Sequence, residues 1–246
     1  MLKIFFILAF SQISWCSKFQ SSKIPQCHVG DTNCIKEITN LVLSQFYGGE
    51  PNVALSQLDP LKIQRMGIKQ GGNSPVNIDL TFENVELHGL KNFVCYSVKG
   101  FGEDPRGQYE MKLRGPYFIL KGPYNIKGQI LVLPIQGRGV SNFTLLNPEL
   151  HVIWTGKTKK KNGKTHLYTD DLKMTFKITR MQAYFGNLFG GNPALGEGTN
   201  RFLNENWQDI FNEIKESIFD AFSLIIQTHL NNMWAHHNYL QMFKQL

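Results

Sequence analysis

From Thr199 or Asn200 onward, apolar residues recur in steps of three and four: Leu203, Trp207, Ile210, Ile214, Ile218, Ala221 or Phe222, and Ile225. Glu205, Gln208, Asp209, Asn212, Glu213, Lys215 and Glu216 fall on the opposite side. That spacing predicts an amphipathic helix. Continued to about His236, it would be about 55 Å long at 1.5 Å per residue, far beyond an ordinary globular helix of about 11 residues. A helix of that length needs an equally long apolar surface to lie against. Phe211, Phe219, Phe222, Leu224 and Ile226 widen its apolar face in the second half, as expected for a helix enclosed on several sides.

The stretch from Val76 to Phe185 supplies that surface. Ile78, Leu80 and Phe82 alternate, and Val85 and Leu87 resume the alternation after a one-residue slip, which predicts a β-bulge. Strand-like runs follow at Phe93–Val98, Tyr109–Leu113, Tyr117–Leu120, Gln129–Ile135, Val140–Leu145, Leu150–Trp154, His166–Leu172 and Met174–Met181. Gly115-Pro116, Gly122-Pro123, Gly137-Arg138-Gly139, Asn147-Pro148 and Asn162-Gly163 separate them. No helix-length segment interrupts the region, so the strands pair antiparallel, and Gly and Pro within long runs imply strong curvature. Upstream, Ile35, Ile38, Leu41, Val42 and Phe46 mark a helical face over Asn33 to Phe46, with Asp31, Thr32 or Asn33 as its cap and Gly48-Gly49 as its stop. Lys62 to Ile68 reads as a short extended stretch. The expected fold is α+β: a long C-terminal helix wrapped by a strongly curved antiparallel β-sheet.

The chain opens with Lys3, a short apolar core from Ile4 to Phe10, and small residues Ser14 and Cys16 before Ser17. This is a secretory signal-peptide pattern over residues 1–16, too short for a span of about 20 residues. Residues 17–246 then form one extracellular domain. No later segment reads as a membrane span, because Asp220, Gln227 and His229 interrupt the most apolar one, Ile218 to Leu230.

The formal charge of +7 is concentrated at Lys157, Lys159, Lys160, Lys161 and Lys164, around Asn162-Gly163. Asn-Gly between alternating runs is a hairpin signal, and lysines at such a tip discourage edge pairing. The competing reading is a patch for anionic membranes or polyanions. No aromatic residue interleaves with the lysines, which favours the solvated tip over the patch. Cys27, Cys34 and Cys95 survive cleavage, and secretion favours a disulfide. Three pairings are open, and sequence does not choose among them.

No pattern here supports catalysis or a cofactor. Gly139-Val140-Ser141-Asn142-Phe143 lacks the closing glycine of a nucleophile elbow. Asp170-Asp171, adjacent on a strand, point to opposite faces. Cys27-His28 and Cys34 lack a second close ligand pair, and His229, His236 and His237 lack a carboxylate, so no metal site is expected; a frayed, solvated helix end accounts for the three histidines. Asn142-Phe143-Thr144 is the one glycosylation sequon. The 18 Phe and 8 Tyr supply core first of all. Were the interior hollow, Phe46, Trp154, Phe189, Trp207 and Phe222 are the candidate ligand contacts.

The wording of the chain adds a resemblance. Gly190 to Trp207, GGNPALGEGTNRFLNENW, closely resembles the C-terminal signature of the insect takeout family, a branch of the haemolymph juvenile-hormone-binding proteins. Cys27 with Cys34, Asp59-Pro60-Leu61, Tyr124 to Gly139 (YNIKGQILVLPIQGRG) and Asn187-Leu188-Phe189 match in order and spacing. The resemblance implies a fold similar to that of bactericidal and lipid-transfer proteins, with a hydrophobic tunnel along the long helix. It implies a Cys27–Cys34 disulfide. It implies a secreted carrier, in haemolymph or sensory lymph, of juvenile hormone, another terpenoid or a fatty acyl compound, tied to hormone, feeding, circadian or chemosensory physiology. A monomer without nucleic acid or stable membrane insertion is expected, and any cell-surface receptor is left open. The alternative on the same superfold is a membrane-surface or lipopolysaccharide-binding defence protein.

Overall fold

The computed structural model describes residues 23–72, 74–161 and 163–244. The signal-peptide reading of residues 1–16 lies outside them. Helix α1 (Thr32–Gln45) begins where the Asp31 carboxylate accepts the Cys34 N–H at 3.0 Å. Nine strands follow: β1 (Leu61–Gln70), β2 (Val76–His88), β3 (Val94–Lys99), β4 (Gly107–Arg114), β5 (Tyr117–Ile130), β6 (Leu133–Leu146), β7 (Glu149–Lys161), β8 (Lys164–Lys177) and β9 (Arg180–Phe185). Helices α2 (Pro193–Glu205) and α3 (Trp207–Trp234) close the chain.

The strands form two antiparallel sheets rather than one. Five pair in the order β1-β2-β5-β6-β9 and four in the order β3-β4-β7-β8. Several expected breaks lie inside strands. Gly122-Pro123 sits within β5, and Gly137-Arg138-Gly139 within β6. The expected bulge makes the proline tolerable. Register slips between Phe82 and Glu86, with Asn84 at φ 53°, so the β2 backbone leaves the ladder opposite Pro123. A proline has no N–H to give there. A side chain on Gly122 would meet Val85 at 2.8 Å, which excludes larger residues from this crossing. Conversely, the expected strand Gln129–Ile135 turns back at Leu131, whose φ is 53°, and the expected break at Lys173 falls instead between β8 and β9.

The C-terminal helix is two helices. It starts earlier than expected, with Asn192 accepting the Leu195 N–H at 3.2 Å and Pro193 in the first turn. That pair is a recognised helix start. It bends at Asn206, whose side chain donates to the Phe202 carbonyl at 2.8 Å. Such back-bonding competes with the regular ladder and bends helices. The 28 residues of α3 alone run about 42 Å at 1.5 Å each.

Helical side chains bond backbone groups on all four sheet edges. Exposed edges carry unpaired backbone groups that invite aggregation, and buried ones must find partners. On β9, Asn200 takes the Phe185 N–H and gives to its carbonyl, both at 2.9 Å, and Asn204 does the same for Ala183. On β8, Ser223 accepts from Met174, Gln227 accepts from Leu172, and Asn231 bonds both backbone groups of Thr169. Asn40 of α1 clasps Cys95 of β3 in the same way, and Ser217 donates to the Lys69 carbonyl of β1. Asn200 and Asn204 on α2, and Ser223, Gln227 and Asn231 on α3, are spaced by four, one per turn.

Cys27 and Cys34 form a disulfide, and Cys95 is a buried free thiol; burial pushes its pKa up. The disulfide loop bonds the C-terminal tail: the Lys244 N–H reaches the Cys27 carbonyl at 2.8 Å. Strands β7 and β8 pair as a hairpin up to Lys161 opposite Lys164, and the expected turn residue Asn162 lies outside the described residues. Tyr168, across the ladder, lies beneath Lys159 at 3.6 Å, an aromatic contact the linear sequence did not display.

Candidate functional site

The inner face of the five-stranded sheet is built by alternation. Ile78, Leu80 and Phe82 of β2 point inward, and Met66 and Ile68 of β1 lie beside them. Leu203 of α2 and the α3 stripe Ile210, Ile214, Ile218 and Phe222 face them from the opposite side. Between sheet and helices lies a cavity of about 70 Å³. Twenty side chains line it, and every one is apolar. The nearby hydroxyls are already engaged: Tyr124 donates to the Gly186 carbonyl at 2.8 Å and Ser141 to the Gly122 carbonyl at 3.1 Å. Burial raises the Tyr124 pKa to about 12, so the phenol stays neutral. A surface of this kind selects by shape and hydrophobicity and offers no group for acid–base or nucleophilic chemistry.

Of the five aromatic candidates, Phe222 lines this cavity. Phe46 is half-buried at the end of α1, and Phe189 packs against the core from the turn after β9. Trp207 is half-buried on the other side of α3, with the Arg180 guanidinium 5.8 Å from its ring, and borders a separate cleft. Trp154 is buried in the four-stranded half, stacked on Tyr109 at 5.1 Å. Its indole N–H is buried without a hydrogen-bond partner among the described residues. The aliphatic liners were visible as the inward half of each alternating strand and as the helix stripe. Selecting aromatic residues passed over them.

His236 is exposed just past the end of α3, as expected, whereas His229 is half-buried and His237 buried. His237 is bonded to the Val53 carbonyl at 2.8 Å, and His229 meets the Ser56 hydroxyl at 3.3 Å. Burial lowers both pKa values. No group of three potential metal ligands occurs among the described residues. Asp170 pairs with Lys157 and Asp171 with Lys173, so the adjacent carboxylates are separately engaged. Asn142 is exposed in the middle of β6, between Lys121 of β5 and Tyr184 of β9. No described helix is long and apolar enough to cross a membrane.

The geometry can be set beside known proteins. The circadian clock-controlled protein daywake of Drosophila melanogaster is 28% identical over 235 residues, covering 91% of this chain and 88% of that protein. Daywake of Drosophila yakuba is 26% identical over 230 residues, with the same coverage. The crystal structure of Takeout 1 from Epiphyas postvittana superposes with a TM-score of 0.74 at 24% identity, covering 89% of this chain and 99% of that one. The family described as haemolymph juvenile hormone binding protein matches residues 4–244. With a takeout protein sharing its fold and a profile match across nearly the whole sequence, this chain belongs to the haemolymph juvenile hormone binding protein family.

Proposed function

We propose that the protein is a secreted carrier that holds a small, elongated apolar molecule in the cavity beneath α2 and α3. The observation that carries this reading is the lining: twenty apolar side chains and no polar one. Each 100 Å² of ligand surface removed from water contributes about 2.5 kcal/mol, so such cargo needs no charged partner. The ligand class is a juvenile hormone, another terpenoid or a fatty acyl compound. The free volume of about 70 Å³ holds a short alkyl segment, whereas ligand sites run from roughly 300 Å³ upward. Loading therefore moves side chains. Met66 and Met181 in the lining are unbranched and readily change rotamer. The daywake relatives, by their name, are under clock control, which supports a circadian setting for this carrier. The signal pattern at residues 1–16 and the disulfide support an extracellular one.

Native mass spectrometry of the secreted protein, followed by organic extraction, tests the reading. A terpenoid or fatty acyl species at near one-to-one ratio is expected, and Ile214→Trp should reduce its retention at least tenfold. A clean apo mass, with no uptake of juvenile hormone or fatty acid on titration, would rule the carrier out. The exposed lysines Lys159, Lys160 and Lys164 favour one second reading, binding to an anionic membrane surface. Vesicle binding that weakens with salt and fails when these become glutamine would support it.

A further inference from the structure

Helix α3 presents a second lined face. Trp207, Phe211, Lys215 and Phe219 follow one another by four, one residue round from or beside the stripe that faces the cargo cavity. They border an open cleft of about 650 Å³ against β4, β7 and β8. Its floor is aromatic. The Phe176 ring of β8 lies 4.8 Å from Phe219 and 6.0 Å from Phe211. Phe176 also lies 6.2 Å from Phe222, which lines the cargo cavity, so one layer of rings separates the two spaces.

The walls of the cleft are charged, unlike those of the cavity. Lys112, His151, Lys177 and Lys215 line it together with Glu149 and Glu216. Lys112 and His151 are already engaged by Glu110, at 3.2 and 2.8 Å, which Lys99 holds as well at 2.7 Å. Hydrogen bonds from Lys99, then Lys112, keep that carboxyl at about 2, so it stays ionised. Lys177 and Lys215 form no ion pair among the described residues. The cleft therefore combines a ring-lined floor with two lysines that close no ion pair, although Glu149 lies across the ladder from Lys177 and Glu216 follows Lys215, at a volume within the roughly 300–1,000 Å³ of small-molecule sites.

We infer that this cleft is a second binding site, distinct from the cargo cavity, for a small organic anion with an aromatic body. The rings of Phe176, Phe211 and Phe219 receive the body. Lys177 and Lys215 attract the carboxylate or sulfonate. The inference does not rest on the carrier reading, because the two sites share a helix but no lining residue.

Titration with anilinonaphthalene sulfonate, followed by fluorescence, tests it. One saturable site is expected, weakening as salt rises. Lys215→Glu and the exposed Lys177→Glu should each lower affinity about tenfold, while Ile214→Trp, which fills the cargo cavity, leaves it unchanged. Circular dichroism melts identify any variant that fails to fold, and Lys177→Gln then replaces it with a smaller loss in the same direction. Affinity unchanged in the lysine variants but abolished by Ile214→Trp would overturn the inference, since the probe would then occupy the cargo cavity. Absence of saturable binding would overturn it too. Loss of cargo uptake with retained probe binding would defeat the carrier reading alone.

Discussion

The two sheets enclose their interiors differently. Under the five-stranded sheet the inward side chains are mostly branched or flexible aliphatics, and a dry cavity remains. Under the four-stranded sheet Leu150, Val152, Leu167, Leu172 and Met174 are buried too, and rings gather around Trp154. Tyr109 stacks on Trp154 at 5.1 Å and 9°, and Phe101 meets Tyr109 edge-on at 4.9 Å. Tyr239 and Phe243 of the tail add a further pair at 5.2 Å, and the Tyr239 hydroxyl donates to the Gly102 carbonyl at 2.8 Å. The disulfide loop and tail then close that end. Strands of similar periodicity thus line an enclosed apolar cavity on one side and, on the other, a ring-packed end beside the open cleft. Around Trp154 flat rings stack and close gaps, whereas beneath the bowed, bulged five-stranded sheet the aliphatics leave free volume.

The largest effect should come from breaking the ring-packed end. Trp154→Ala removes a stacked, buried ring and should cost about 3–5 kcal/mol, read from the urea midpoint. Next is the joint between helix and sheet. Asn231→Ala leaves the buried Thr169 N–H and carbonyl without their helix partners, for about 2–4 kcal/mol at the usual cost of unsatisfied groups. A change near Ala's own propensity would mean that water replaces the asparagine and the edge is not sealed.

Enlarging side chains should separate the halves most clearly. Val152→Phe, in the four-stranded half, should cost about 1–3 kcal/mol through overpacking. Ile214→Phe, beside the cavity, should cost less than about 1 kcal/mol by the same reasoning. Equal costs would mean the two interiors are packed alike. Acid gives a gentler test of the tail end. The folded pKa of His237 lies below its usual value, chiefly through burial, with His236 and His166 adding repulsion. The unfolded state then binds more protons, so this stability is present above about pH 6.5 and lost as pH falls through the folded value. The urea midpoint should drop between pH 7 and pH 5, and drop less in His237→Gln. The smallest effect belongs to Trp154→Phe. It shortens the ring but removes the unpaired indole N–H, so the change should stay within about 1 kcal/mol.

Much of the frame was legible in the chain. The capping by Asp31, the bulge before Val85, the hairpin pairing of β7 with β8 and the apolar stripe on the last helix all rest on neighbours within a few residues. Steric and hydrogen-bonding preferences at that range act whatever the rest of the chain does. The earlier helix start at Asn192-Pro193 was encoded too, though Gly196 and Gly198 masked it, since glycine lowers helix propensity. The bend at Asn206 was less legible, because an asparagine in a helix bonds its own backbone or a neighbour according to what surrounds it.

The division into two sheets, the pairing of Asn200, Asn204, Gln227 and Asn231 with strand edges, and the separation of cavity from cleft were decided by tertiary structure. Each depends on groups tens of residues apart meeting at a set distance. The asparagine spacing by four marks a polar ridge on a helix, yet the same ridge facing water would look identical in sequence. Sequence alone determined a long amphipathic helix, curved antiparallel strands and an apolar interior. Whether that interior is empty or full follows from how the side-chain volumes and sheet curvature combine in three dimensions, and a linear pattern of apolar residues does not contain that sum.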